Sequence, residues 1–158
     1  MTAILLALAA FLVMEPVTAL VHRVVMHGAG MGWHRSHHEP PRRALEANDL
    51  FPVVFAAATI VMLSIGVYLG GGGVLVPLSI GITGYGAAYL LVHDVVIHRR
   101  LGRLVPLPAR FFDWHRRAHN VHHLYSRAPY GFLAPVVPAD LRRKADSMGV
   151  DRTARSSR

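Results

Sequence analysis

"HRVVMHGAGMGWHRSHH", residues 22–38, places five histidines in seventeen positions with no acidic residue among them. It follows directly on "TAILLALAAFLVMEPVTALV" (2–21), an apolar run without Lys or Arg. That run matches the roughly 20 helical residues needed to cross a hydrocarbon core of about 30 Å. A span that delivers the chain into a histidine-rich segment is the junction from which the rest of the fold can be read. Two further apolar stretches follow, "LFPVVFAAATIVMLSIGVYL" (50–69) and "VLVPLSIGITGYGAAYLLV" (74–92), separated by the glycine run 70–73. They predict a helical hairpin with the glycines as its tight exposed turn. Internal Gly and Pro are better tolerated in membrane helices than in soluble ones. Reading 2–21 as a cleaved leader is disfavoured, because it lacks a basic start and a small-residue cleavage site before His22.

Composition agrees with this reading. Charged residues make up 16% of the chain, against about 25% in soluble domains. There is no cysteine, so thiolate ligands, disulfides and iron–sulfur clusters are excluded and any metal must be held by nitrogen or oxygen. The formal charge is +8, and every Lys and Arg lies in 23–43 or 99–158. If the three segments span, all of these residues share one face, which the positive-inside rule assigns to the cytoplasm. The basic residues cap spans and form no nucleic-acid recognition motif.

The same topology carries all eleven histidines to that face. In "HRSHH" (His34, His37, His38) and "HNVHH" (His119, His122, His123) the rings stand at i, i+3 and i+4, on one side of a helix. Rings at i+3 and i+4 diverge by about 100°, so each triple can address two neighbouring metals. The pairs "HRVVMH" (His22, His27) and "HDVVIH" (His93, His98) are i, i+5, which is not a single-face α-helical spacing. They must bracket a helix end or address different metals. Ten histidines give five nitrogen donors to each of two ions. Imidazole suits iron, zinc, copper or nickel rather than magnesium, calcium or manganese, and oxygenation chemistry would select iron. His115 is left over, as a ring-orienting neighbour, a substitute ligand or a helix-surface residue. Asp94 is placed to accept the far N–H of a ligand ring or to pair with Arg99 or Arg100. Glu39, Asn48 and Asp49 are candidates for similar roles, and Asp49 equally for a helix N-terminus.

The boxes "HRVVMHGAGMGWHRSHHEP", "NDLFPVVFA", "HDVVIHRR", "AHNVHH" and "YGFL" resemble those of the bacterial β-carotene hydroxylases, within the fatty acid hydroxylase superfamily of histidine-box membrane di-iron enzymes. The resemblance covers about residues 15–135, and the third box departs from the usual pattern at Val95, Val96 and Ile97. It implies O2-dependent hydroxylation at C3 of a β-ionone ring, from β-carotene through β-cryptoxanthin to zeaxanthin. It further implies two irons on His22, His27, His34, His37, His38, His93, His98, His119, His122 and His123, with electrons from reduced ferredoxin and its reductase. The carotenoid would enter from the bilayer. Gly81, Gly84 and Gly86 beside Tyr85 and Tyr89 could form its groove, or could serve helix packing.

The expected architecture is an all-α integral membrane protein of three to four transmembrane helices with a cytoplasmic histidine-rich helical cap, in the inner membrane. Residues 1–143 are expected to form a single membrane-embedded domain and 144–158 a polar, disordered tail. "APYGFLAPVVP" (128–138) reads as an interfacial or re-entrant piece, and "LVPLPARFF" (104–112) as a lead-in to the last histidine helix. The rival enzymes are a fatty acyl or sterol hydroxylase and a carotenoid ketolase of the same type. A metal-binding or transport protein is the rival from another class. Transport would place polar residues near mid-bilayer, and metal stoichiometry separates a fixed pair of irons from a variable cargo.

Overall fold

The computed structural model describes residues 1–39, 45–70, 73–100 and 109–148. Among them the chain is helical, with no strand. Helix α1 (Thr2–Val21) runs into a π-helical turn, His22–Ala29, which breaks at Gly28 and leads to the short α2 (Met31–His38). A 3-10 turn, Ala47–Asp49, opens α3 (Leu50–Tyr68). Helix α4 (Leu75–Tyr89) continues into a second π-helical turn, Leu90–Ile97. A 3-10 turn, Ala109–Phe112, leads into α5 (Asp113–Tyr125), and α6 (Ala139–Ser147) follows an irregular segment.

Three helical segments among the described residues are long and apolar enough to cross a membrane: Thr2–Ala29, Ala47–Tyr68 and Leu75–Ile97. Their outer faces expose Ile4, Leu8, Leu12, Val53, Val61 and Ile80. An apolar surface of this extent needs lipid or protein to cover it. The 128–138 stretch is not a fourth helix; it is irregular, with Pro129, Phe132, Pro135 and Val137 buried. Gly70, at φ 88°, starts the hairpin turn, and residues 71 and 72 lie outside the described residues. So do residues 104–108 of the expected lead-in, the rest of which forms the 3-10 turn before α5. The expected domain boundary after residue 143 falls inside α6, and residues 149–158 lie outside the described residues.

Helix α4 is central and packs against both α1 and α3. The approach to α1 is close at Gly81, where an added Cβ would run into the carbonyl oxygen of Ala7 and come within 2.7 Å of the Ala10 Cβ. The α4 glycines therefore divide between the two roles expected of them: Gly81 serves helix packing, while Gly86, with Tyr85 and Tyr89, faces an apolar cavity. At the histidine end, α5 is two-sided. His119 and His122 are buried on one side, while Ala118 and Val121 pack against Val137, Leu141 and Ala145. Arg142 lies over the Trp114 ring and Lys144 over Tyr125, which fastens α6 to α5. The charged heads thus stay outward while the α6 apolar face completes a small core.

Because the Gly81 contact is with backbone, it has little room to relax. Gly81→Ala is expected to cost about 1–3 kcal/mol by overpacking. Gly84→Ala, whose Cβ would meet Phe11 at an ordinary 3.6 Å, should be nearly neutral. Thermal unfolding of the two detergent-solubilised variants checks this; equal melting temperatures would contradict it.

Candidate metal centre

The first π-helical turn contains His22 and His27, and the second contains His93 and is capped by His98. In a π-helix the N–H of residue i+5 returns to the carbonyl of residue i, so residues five apart come onto neighbouring positions of one face. His98 N donates to His93 O at 3.0 Å in this way. The ring centroids of His22 and His27 are 5.1 Å apart, and those of His93 and His98 are 4.7 Å apart. Each pair therefore converges on a single group of ligand atoms rather than on two different metals, and the backbone widening is what makes this spacing usable.

The triples behave in the opposite way. His34 joins His22, His27 and His122, while His37 joins His93, His98 and His119. Neighbours three apart on α2, and likewise on α5, thus serve different groups, as the divergence along an α-helix requires. Within each group the candidate ligand atoms all lie within 4.8 Å of one another. His38 Nε2 adds to the first group at 3.1 Å from His34 Nε2. His123 Nε2 adds to the second, 3.2 Å from His37 Nε2 and 2.7 Å from His119 Nε2. The His38 and His123 rings stack on each other at 4.6 Å, between the groups. All ten sequence-predicted histidines are thereby gathered, five to a side.

The hydrogen-bond partners decide which nitrogen faces inward with its lone pair. His22 Nδ1 donates to the Tyr130 carbonyl at 3.0 Å, and His34 Nδ1 to Asn48 Oδ1 at 2.7 Å. The proton of each ring is thus on Nδ1, which leaves lone pairs on two Nε2 atoms that face each other at 3.1 Å. The second group repeats the arrangement. His37 Nδ1 faces Glu46 Oε2 at 3.4 Å, His93 Nδ1 faces Asp94 Oδ1 at 3.0 Å, and their Nε2 atoms stand 3.2 Å apart. Facing lone pairs in a buried cluster repel unless a cation lies between them. Imidazole nitrogens about 2.1 Å from one ion, on adjoining positions at right angles, would be about 3 Å apart. The donor set and its spacing fit one metal ion per group.

Behind the rings, Arg100 holds the carboxylates. Its guanidinium meets Asp49 Oδ1 at 2.6 Å, Glu46 Oε2 at 2.8 Å and Asp94 Oδ1 at 3.7 Å. Asp94 thus does both things expected of it, accepting from His93 and lying beside Arg100. Asn48 orients His34. Asp49 touches no histidine in the cluster; it caps the turn before α3, accepting from Glu46 N at 2.9 Å. Glu39 is exposed at the end of α2. His115 stays outside both groups and donates from Nε2 to the Leu133 carbonyl at 2.9 Å. The two groups differ in their surroundings: the first leans on the neutral acceptors Tyr130 O, Asn48 and Arg127 O, the second on Glu46 and Asp94.

Sequence reasoning missed Glu46 and Glu15. Glu46 shows only as an acid three residues before Asp49, within the signature of a helix start. Glu15 was visible as a lone acid in an apolar span, and that alone is a reason to look for a role. Its Oε1 accepts from the backbone N–H of Phe132 and of Ala134, both at 2.9 Å, and its Oε2 accepts from Leu133 N–H at 3.1 Å and Tyr85 O–H at 2.6 Å. A single carboxylate thereby ties down three consecutive backbone N–H groups of an irregular segment, that of the buried Phe132 among them. Beside this latch lies an apolar cavity of about 450 Å³ between α1, α3 and α4, lined by Thr18, Phe55, Thr59, Gly86, Tyr89 and Phe132 among others.

The sequence model of the fatty acid hydroxylase family matches residues 7–140. The chain belongs to the fatty acid hydroxylase family. Among relatives, it is 42% identical over 126 residues to a beta-carotene hydroxylase of Pantoea ananas, covering 76% of this chain and 70% of that protein. It is 42% identical over 152 residues to a beta-carotene hydroxylase of Paracoccus sp. (strain PC1), covering 90% and 93%. A chloroplastic beta-carotene 3-hydroxylase of Haematococcus lacustris is 36% identical over 141 residues, 84% of this chain and 43% of that longer protein. No solved structure matches the chain. As a family member the protein is a membrane hydroxylase, and each of its two histidine groups could hold a metal ion.

Burial pushes two of the clustered histidines outside the spans below their ordinary 6.5: His34 down to about 4 and His98 to about 3. His37, His119, His122 and His123 are also pushed down, first by burial and then by neighbouring imidazoles. The rings are therefore neutral, and able to bind metal, at neutral pH. In the unfolded chain the same rings take up protons below about pH 6.5. Stability of the metal-free protein is thus complete above that pH and is lost as pH falls toward the folded values. Melting of metal-free protein should be flat from about pH 8 to 7 and should drop steadily between about pH 6.5 and 4. A melting temperature that stays level or rises on acidification would contradict the buried, neutral assignment.

Proposed function

We propose that the chain hydroxylates C3 of a β-ionone ring, taking β-carotene through β-cryptoxanthin to zeaxanthin, with two irons held by the ten clustered histidines. The observation that carries this reading is that two groups of inward-facing imidazoles lie directly behind Phe132 and Tyr89, which line an apolar cavity, in a chain 42% identical to proteins named beta-carotene hydroxylase. When bound, the irons would supply the reductive activation of O2, which no side chain here can supply. One C–H becomes C–OH and the second oxygen atom leaves as water, which consumes two electrons and two protons per O2. Reduced ferredoxin, or a similar one-electron carrier, is the proposed source of the electrons.

The residues of the chain do the rest. His22, His27, His34, His38 and His122 would hold one ion; His37, His93, His98, His119 and His123 would hold the other. Asn48, Glu46, Asp94 and the carbonyls of Tyr130 and Arg127 fix the tautomer and direction of their rings. Arg100 keeps Glu46, Asp49 and Asp94 together, so that three acids can sit near the cluster without mutual repulsion. The buried walls exclude water from the reacting position. A long polyene is insoluble in water, and the cavity between α1, α3 and α4 offers it a route from the bilayer.

In this reading residues 1–143 form one domain in the inner membrane, with the histidine cap and the basic residues on the cytoplasmic side. That side also suits an acidic electron carrier, which the arginines would steer.

The test is pigment analysis of bacteria that accumulate β-carotene and express the chain, beside a His37→Ala control. β-Cryptoxanthin and zeaxanthin should appear with the native chain and be absent from the control. Unchanged β-carotene in membranes containing the iron-loaded native protein and a competent electron donor would contradict the assignment and direct the search to lipid substrates.

A further inference from the structure

Two aromatic rings close the histidine end of the cavity. Phe132 lies parallel to His22, with centroids 5.1 Å apart and 10° between the planes. Tyr89 lies against His93 in the same manner, at 4.8 Å and 16°. The two rings meet edge to face at 4.7 Å, and both line the cavity. His22 belongs to one histidine group and His93 to the other, so one ring screens each group. Anything that advances along the cavity toward the histidines meets this pair first.

The rings are held by different means. Tyr89 ends α4 and is carried by the helix. Phe132 lies in the irregular segment between α5 and α6, where no helix fixes it. Glu15 fixes it instead, through the three backbone N–H bonds at residues 132–134 and the bond from Tyr85, whose Oη is also 2.7 Å from the Thr18 hydroxyl. Gly131 permits this approach, because a Cβ there would come within 2.6 Å of Glu15 Oε1. Charge-assisted bonds from backbone to a carboxylate are among the stronger ones available in a protein. The backbone beneath Phe132 is therefore pinned, and its ring is stacked.

We propose that Phe132, clamped by Glu15, is the specificity-determining wall of the cavity. It stops an apolar ring at a set depth and so selects which ring carbon is presented to the histidine groups. Glu15 is a positioning residue that acts through Phe132. The inference rests on the hydroxylase reading above, and it names what sets the regiochemistry within it. Position matters because misplacement by about 1 Å can cost roughly a hundredfold in rate. A shift in where the substrate ring stops therefore changes which C–H competes.

The experiment is chromatographic analysis of hydroxylated carotenoids in β-carotene-accumulating cells expressing the native chain, Phe132→Leu, Phe132→Ala, Glu15→Gln or Glu15→Ala. Membrane-inserted protein and its iron content are measured in parallel. Iron content should hold in the Phe132 variants while the share of product hydroxylated at C2 or C4 rises roughly tenfold over the native chain, the scale of changing a small apolar contact. Glu15→Ala should reproduce that shift. Glu15→Gln, which keeps one acceptor oxygen, should fall between it and the native chain. Phe132→Leu keeps an apolar side chain of useful size and so guards against simple loss of fold. C3-only product from iron-loaded Phe132→Leu and Phe132→Ala would overturn the inference and leave the hydroxylase reading intact. Failure of the native chain to hydroxylate β-carotene would overturn the reading, and the inference with it.

Discussion

Imidazole rings whose outer nitrogens are committed as donors have only lone pairs to offer one another on the inside, and that constraint organises the cap of this protein. The acceptors come from three separate parts of the chain: the segment after α5 for His22 and His122, the turn before α3 for His34 and His37, and Asp94 for its neighbour His93. Each acceptor turns its ring inward. Opposed nitrogens 3.1 and 3.2 Å apart are then unfavourable without a cation and favourable with one. The three apolar helices bring these parts to one end of the bundle, and α1 and α4, which run into the two π-helical turns, approach closely at Gly81.

Much of this was legible beforehand. The hydropathy and the placement of Lys and Arg were independent signals for three spans, and both agree with the helices observed. The i, i+3, i+4 triples divided between two groups because an α-helix turns 3.6 residues at a time. The i, i+5 pairs were harder. Their spacing fits no α-helical face, and only a local π-helical turn, which hydropathy does not report, makes each pair converge. Asp94 could be named in advance because it stands beside His93 in sequence, and Asn48 because it opens the "NDLF" segment that follows the second histidine box. Glu46 could not, since it reaches His37 only after the chain has turned back from α2.

Glu15 shows another kind of limit. Read along the sequence, it is a blemish in an otherwise apolar span. In three dimensions it is the anchor of a segment more than a hundred residues away, and it is satisfied by donors that no sequence pattern marks, because three of them are backbone N–H groups. The same fold-dependence applies to the cavity. Gly86, Tyr89 and Phe132 become its walls through the way α4 and the 130s segment meet, whereas Gly81, in the same small-residue row, is used up in packing.

The claim from which the rest follows is that each histidine group holds a metal ion. Iron content of the purified chain, measured together with X-ray absorption at the iron edge, addresses it directly. About two irons per chain, each in a shell of about five nitrogens near 2.1 Å, is the expected result. A single iron per chain, or a shell dominated by oxygen, would contradict it.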